Sequence, residues 1–284
     1  MSQALRKPPA DVPDLVPPQS DFEEGKPLNE EWVRFFRAKS ARLVTEDDEP
    51  VDNILSEKQM RLLTETLYSS WQPQPDEEHP DEPRHFLVTA NVALYFSMNH
   101  PPIVPDVLLS LDVDPRPDWL NSHHRAYFVW EFDKIPEVVL EIVSNEKGGE
   151  LTTKLREYAR QNVPYYVVYD PLHELSRDDL RVYENNFGRR YRLRKDFALP
   201  KVGLSLRLWD GVFEAQPGRW LRWCDTNGEL IPTGAERAER AEFRAEIETA
   251  RADLAEAEVE RLKKELAQLR KQTSGAKGKR AKRK

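Results

Sequence analysis

Between residues 56 and 71, apolar side chains return at helical spacing: Met60, Leu63 and Leu67 share one face and Trp71 marks the end. Ser56 is suited to cap this helix, Gln59 stands three residues on as a capping-box partner, and Leu55 with Met60 makes a hydrophobic staple. An acidic, proline-rich loop follows over residues 72–83. The period then changes. Residues 85–89, 104–111 and 136–144 are apolar runs rich in β-branched side chains and bounded by Pro, Asn or Asp, which predicts strands. From Glu150 the spacing is helical again, with Leu151, Leu155, Tyr158 and Ala159 on one face and Asn162 at the close. Residues 163–169 read as a further strand stopping at Asp170–Pro171, and residues 180–193 as a hairpin turning at 186–188. Helix, strands, helix and strand in this order predict a mixed α/β layer fold.

Both ends of the chain differ in kind from this middle. Residues 1–50 are rich in Pro, Asp and Glu and read as mostly disordered around one short helix at 29–41. Trp32, Phe35 and Phe36 give that helix an apolar face with which to dock. Residues 235–272 contain no Gly or Pro and are dominated by Ala, Glu, Arg and Leu. Phe243, Ile247, Ala250, Leu254 and Ala257 step by four and three, as do Leu262, Leu266 and Leu269, but the two series are out of phase. That is a long charged helix with an imperfect coiled-coil seam. The expected organisation is therefore a domain over 51–234, the helix over 235–272 and a disordered basic tail over 273–284.

Composition narrows the function classes. Cys224 is the only cysteine, which excludes an intramolecular disulfide and a cysteine-cluster zinc site. No apolar run approaches membrane-spanning length, and the N-terminal residues lack the apolar core of a signal peptide. A cytoplasmic protein with no membrane partner is expected. The net charge of −7 disfavours nucleic acid, yet the last twelve residues carry six basic side chains and no acidic one. Carboxylates gathered around a metal are also neutralised by it, so the acidic balance does not exclude a DNA partner.

Two carboxylates stand where carboxylates are expensive. Glu141 lies inside PEVVLEIVS, a strand apolar on both faces and so expected to be buried on both. An unpaired charge there costs on the order of several kcal/mol or is forced neutral. A structural ion pair with an arginine such as Arg156 is the ordinary explanation. Asp106, in PPIVPDVLLSL, sits at the start of another apolar strand, where a turn residue after Pro105 is the ordinary reading. Together, on neighbouring strands, the two can share a hard cation such as Mg²⁺, which takes few protein oxygens and keeps several waters. Such an ion can activate water against a phosphodiester.

The stretches VDNILSEKQMRLLTETLYSSW, VPDVLLSLDV, RAYFVWEFDKIPEVVLEIVS, VPYYVVYDP and GRWLRWCDTNGELIPTGAE, in this order and spacing, resemble the cyanobacterial-type restriction endonuclease family of the PD-(D/E)XK nuclease superfamily. The resemblance spans roughly residues 45–235. It implies a restriction-endonuclease-like mixed β-sheet flanked by helices, with Mg²⁺ or Mn²⁺ as cofactor and DNA phosphodiester hydrolysis as activity. By position it makes Asp106 and Glu141 the metal-holding acidic pair. The superfamily lysine belongs two residues after Glu141, where this chain has Val143; in the family a lysine of the following helix substitutes, and Lys154 occupies its place. The first helix of the superfamily often adds an acidic ligand, for which Glu65 and Glu57 are candidates. After Glu141 the family's Ser-Pro-Ser-Thr-like turn and aspartate give way here to SNEKGGELTTK.

Read from its own helix, Lys154 shares a polar stripe with Tyr158 and Gln161 beside the apolar face. An ordinary exposed pair with Glu150 is the competing account, and Lys147 is the rival lysine. Two functions follow: a Mg²⁺-dependent endonuclease, with self-association into a homodimer allowed by the long helix, or a catalytically silent nuclease fold kept as a nucleic-acid-binding or protein-interaction module. An EDTA-sensitive nuclease assay separates them.

Overall fold

In the computed structural model of the chain, the described residues are 15–19, 29–40, 53–75, 83–113, 124–144, 148–185 and 188–281, the last fourteen by their backbone only. Two units are present, Met1–Thr233 and Gly234–Lys284. The expected disorder of the N-terminal region falls largely outside the described residues.

Apolar strands set the architecture of the first unit. β1 (Phe86–Ala90), β3 (Val107–Leu111), β5 (Val138–Ile142), β6 (Tyr165–Tyr169), β7 (Leu180–Asn185) and β8 (Tyr191–Leu193) form one sheet in the order β1-β3-β5-β6-β7-β8. Only β5 and β6 run parallel, joined through the helical segment that follows β5; the other neighbours are antiparallel. The three central strands β3, β5 and β6 are buried at every position, as strands covered on both faces must be. A short parallel pair, β2 (Leu94–Tyr95) with β4 (Tyr127–Phe128), lies apart from this sheet, and β4 leads directly into α3 (Val129–Phe132). This mixed sheet, its flanking helices and a long C-terminal helix agree with the pattern read from the sequence.

Alternation along the strands divides the core. Val107, Leu109, Leu140, Ile142 and Val167 point to one face, where they meet Met60, Leu63 and Leu67 of α2 (Ile54–Ser70). That same face also meets a second sheet, in which β10 (Leu204–Phe213) lies between β9 (Ala198–Leu199) and β11 (Gln216–Cys224). Leu108, Val139, Val143, Tyr166 and Val168 point to the other face, against Tyr158, Leu151 and Leu155. This second sheet is not among the elements expected from the sequence, although Leu204, Leu206 and Leu208 alternate with Ser205 and Arg207 as a half-buried strand does.

The cap of α2 differs from expectation. Asn53, not Ser56, is the capping residue, its side chain accepting from the Ser56 backbone N–H at 2.9 Å. Asn is as good a cap as Ser, and it stands where the first free N–H groups can reach it. Gln59 is thereby released from the capping box. It is fully buried and clamps Leu221 of β11, donating to its carbonyl at 2.8 Å and accepting from its N–H at 2.9 Å. Trp223 donates to the Leu63 carbonyl at 3.0 Å in the same interface. Gln59→Ala is expected to cost about 2–4 kcal/mol, since two buried backbone groups lose their partners; urea denaturation should show a lower midpoint at an unchanged slope.

At the N-terminal side, α1 (Glu30–Ser40) is capped by Asn29, which accepts from the Trp32 N–H at 3.0 Å. Trp130 donates to Ser40 Oγ at 2.9 Å and Lys39 to Asn99 at 3.2 Å, so the helix is docked at its end. In the second unit, α5 runs from Gly234 to Ala281, past the boundary at 272 that composition suggested. Phe243, Leu254, Leu262 and Leu266 are exposed along it. Among the described residues no helix is long and apolar enough to cross a membrane.

Candidate active site

The pairing of β3 with β5 brings the two unusual carboxylates together. Val107 stands opposite Leu140, and one step further the same antiparallel register sets Asp106 opposite Glu141. Residues directly opposite in an antiparallel pair point to the same face. Here it is the face lined by Leu108 and Val139. Asp106 Oδ2 accepts from the Ile142 backbone N–H at 2.6 Å, which fixes its carboxylate at the end of β5.

Glu141 is 1% exposed, and its charge is met from the helical segment after β5. Lys154 Nζ donates to Glu141 Oε2 at 2.7 Å, and the Tyr158 hydroxyl donates to Oε1 at 2.8 Å. The ion pair is thus made with Lys154 and not with an arginine such as Arg156. On a regular helix Lys154 and Tyr158 lie one turn apart, so both reach one carboxylate from above.

How Lys154 comes to face inward is a matter of local backbone. The segment opens with Gly149 at φ 76°, a left-handed conformation that suits glycine. A π-helical turn then spans Glu150–Lys154, closed by the Lys154 N–H donating to the Gly149 carbonyl at 3.1 Å. α4 (Leu155–Arg160) continues it. Wide turns of this type are inserted in helices where side chains must be re-aimed. Glu150 is swept inward as well. It is 6% exposed and its Oε1 lies 4.0 Å from Lys154 Nζ, so the exposed surface pair suggested by the sequence is in fact a buried neighbourhood. Gln161, the third member of the predicted stripe, bonds Glu157 instead and takes no part.

Val143, at the place of the missing lysine, does share the Glu141 face, where it packs with Tyr158 and Val163 as part of the apolar core. Glu65 and Glu57 come from α2, which covers the opposite face of the sheet. Glu57 pairs with Arg61 at 2.9 Å on the surface. Among the described residues no three His, Cys, Asp or Glu side chains form a metal-holding group, so Glu65 does not complete a triad with Asp106 and Glu141. A sheet separates them. Lys147 lies outside the described residues.

Charge in this site is unbalanced. Burial raises the Glu141 pKa above the ordinary carboxylate value; Lys154 and Tyr158 act against this, and the nearby Glu150 charge adds to it. For Lys154, burial works to lower its pKa, but the Glu141 carboxylate more than reverses this, helped by Asp106 and Glu150, and the ammonium is held charged. Burial, followed by the Glu141 charge, also pushes the Tyr158 hydroxyl well up, so it remains a donor. Asp106, Glu141 and Glu150 thus all act through their charge on the one Lys154 ammonium. The sequence pattern does not single out Tyr158 or Glu150. Tyr158 is legible as a member of the apolar face and of the stripe shared with Lys154, not as a partner of Glu141, and nothing in the spacing marks Glu150 as buried.

Residues 53–207 match the Uma2 family, described as "Putative restriction endonuclease". No curated protein and no solved structure matches the chain.

Proposed function

The chain belongs to the Uma2 family, and from that membership we propose that it is a Mg²⁺- or Mn²⁺-dependent endonuclease hydrolysing DNA phosphodiester bonds. The observation that carries this reading is the register pairing of Asp106 with Glu141, with the Lys154 ammonium 2.7 Å from the second carboxylate. The donor set fits the ion: two carboxylates on one sheet face are hard oxygen ligands, and Mg²⁺ is commonly bound by one or two carboxylates with water and phosphate completing its shell. Asp106 and Glu141 would hold it. When bound, such an ion polarises the scissile phosphate and makes water a better nucleophile at neutral pH.

The chain's own groups supply the rest. Lys154 places a positive charge where negative charge grows on the phosphate during attack, at a site already desolvated on its core side. Tyr158 holds the Glu141 carboxylate in one orientation through its hydroxyl. Val143 and its apolar neighbours keep water from the inner side of the carboxylates. Purified protein is expected to nick supercoiled plasmid with Mg²⁺ or Mn²⁺ at millimolar levels, and EDTA is expected to stop it. Metal-independent cleavage, or none at all, would count against the reading.

A second reading, the catalytically silent fold retained for binding, draws on Glu141 having both oxygens engaged by Lys154 and Tyr158. The EDTA comparison separates the two. In either case the basic C-terminal residues give a DNA contact of their own. Removing residues 273–284, with their six basic side chains, is expected to weaken DNA binding at low salt and little at high salt. The slope of binding against salt should become shallower by roughly one unit for each phosphate that is no longer neutralised. Equal binding at every salt concentration would assign the tail another role. The exposed seam of α5 suits weak self-association into a homodimer.

A further inference from the structure

Glu150 is buried without an evident structural reason. Its side chain is 7% exposed, and the backbone beneath it is fixed by the Tyr166 hydroxyl, which donates to the Glu150 carbonyl at 3.0 Å. One carboxylate oxygen stands 4.0 Å from Lys154 Nζ, too far for a hydrogen bond. The other, Oε2, is enclosed and makes no hydrogen bond among the described residues. Leaving a carboxylate oxygen so is costly, since a buried acceptor that loses water and gains no donor retains its desolvation penalty. A surface pair on a helix would show the reverse, with both groups in solvent. The room for this carboxylate comes from a glycine: a Cβ on Gly148 would lie 1.8 Å from Glu150 Oε1 and 2.6 Å from its Cδ.

Lys154 has three N–H donors and spends one of them on Glu141 Oε2. That oxygen is also one that a divalent cation would take. We propose that Glu150 is a positioning residue for Lys154: it receives the ammonium when Glu141 turns its oxygens to the metal, and so keeps the lysine beside the scissile phosphate. The proposal rests on the metal-dependent reading given above. The shift needed is small, about 1 Å from the present separation to a charge-assisted hydrogen bond. Without Glu150, an ammonium displaced from Glu141 has its nearest favourable surroundings in solvent, into which a long flexible lysine readily turns.

The test follows Lys154 directly. In the full-length protein, trace acetylation of amines with peptide mass spectrometry reports how accessible the Lys154 ammonium is, without and with Mn²⁺. Mn²⁺ binding is measured separately by calorimetry. In the wild type, labelling of Lys154 is expected to change little when Mn²⁺ binds. In Glu150→Gln it should rise at least about fivefold, on the order of what loss of a charge-assisted hydrogen bond permits, and only with Mn²⁺ present. Gly148→Ala keeps the charge but drives the carboxylate from its place, and is expected to give the same metal-dependent rise. A merely structural role for Glu150 would raise labelling in the metal-free variants too, and that result overturns the proposal. So does Mn²⁺ binding to both variants with labelling as in the wild type. Failure of the wild type itself to bind Mn²⁺ overturns the metal-dependent reading first, and this proposal with it.

Discussion

Asp106→Ala and Glu141→Ala are each expected to lower metal-dependent DNA cleavage by at least about a thousandfold, the equivalent of roughly 4 kcal/mol, because each removes half of the oxygen pair that would hold the ion. Folding can be checked separately, and here the structure alters what Glu141 is expected to do. From the sequence, removing its charge should relieve repulsion with Asp106 and leave the metal-free protein as stable or more so. The Lys154 ammonium on Glu141 Oε2 reverses that balance. Glu141→Gln keeps an acceptor for the Tyr158 hydroxyl but sets an amide against the ammonium. Lys154 is 27% exposed and can turn toward solvent or Glu150, so the full cost of breaking a buried pair is not incurred. A loss of about 1–2 kcal/mol without metal is expected, measurable by denaturant titration. Mn²⁺ should raise the melting temperature of the wild type and not of Glu141→Gln, since an ion stabilises only the state that binds it. Cleavage surviving in both alanine variants would remove these carboxylates from the active site.

Lys154→Ala should reduce turnover at least about a hundredfold, the order of magnitude lost with one preorganised group that stabilises developing charge. Its effect on metal affinity should go the other way. Because the ammonium occupies Glu141 Oε2 in the metal-free protein, its removal frees that oxygen, and Mn²⁺ should bind as well or more tightly. The metal-free variant, left with a buried carboxylate held only by Tyr158, should be less stable, and saturating Mn²⁺ should restore part of the loss. Weak metal binding together with weak turnover would mean that Lys154 only supports the fold of the site. Normal turnover in Lys154→Ala with loss in Lys147→Ala would give the catalytic charge to Lys147.

Periodicity alone determined the layers of this protein. The runs around Leu109, Leu140 and Val167 carry apolar side chains on both faces, broken only by Ser110 and Glu141, and such runs are stable only inside a sheet covered on both faces. The repeat of Leu151, Leu155 and Tyr158 likewise fixed a helix with an inward face, and the composition beyond residue 235 fixed a separate long helix. Those are local signals, set by which side chains water excludes. It was also legible that Glu141 needs a partner, since its neighbours in the chain are all apolar.

Tertiary structure decided the partner. Strand register is settled by packing between segments distant in sequence, and only the Val107–Leu140 pairing puts Asp106 across from Glu141. Glu65 was a candidate because α2 carries it, but α2 covers the other face of the sheet, and a helix cannot reveal from its own sequence which face it will cover. Asn53 and Ser56 were both chemically fit to cap that helix; Gln59 settled the matter by burying itself against Leu221, a residue more than 160 positions away in the chain. Glu150 and Lys154 sat at the spacing of an exposed α-helical pair, and that competing account of Lys154 failed where the helix ceased to be α. A π-turn changes the angle between successive side chains, and this one carries Glu150 under the surface and Lys154 partly so, where desolvation strengthens the interactions they make with Glu141.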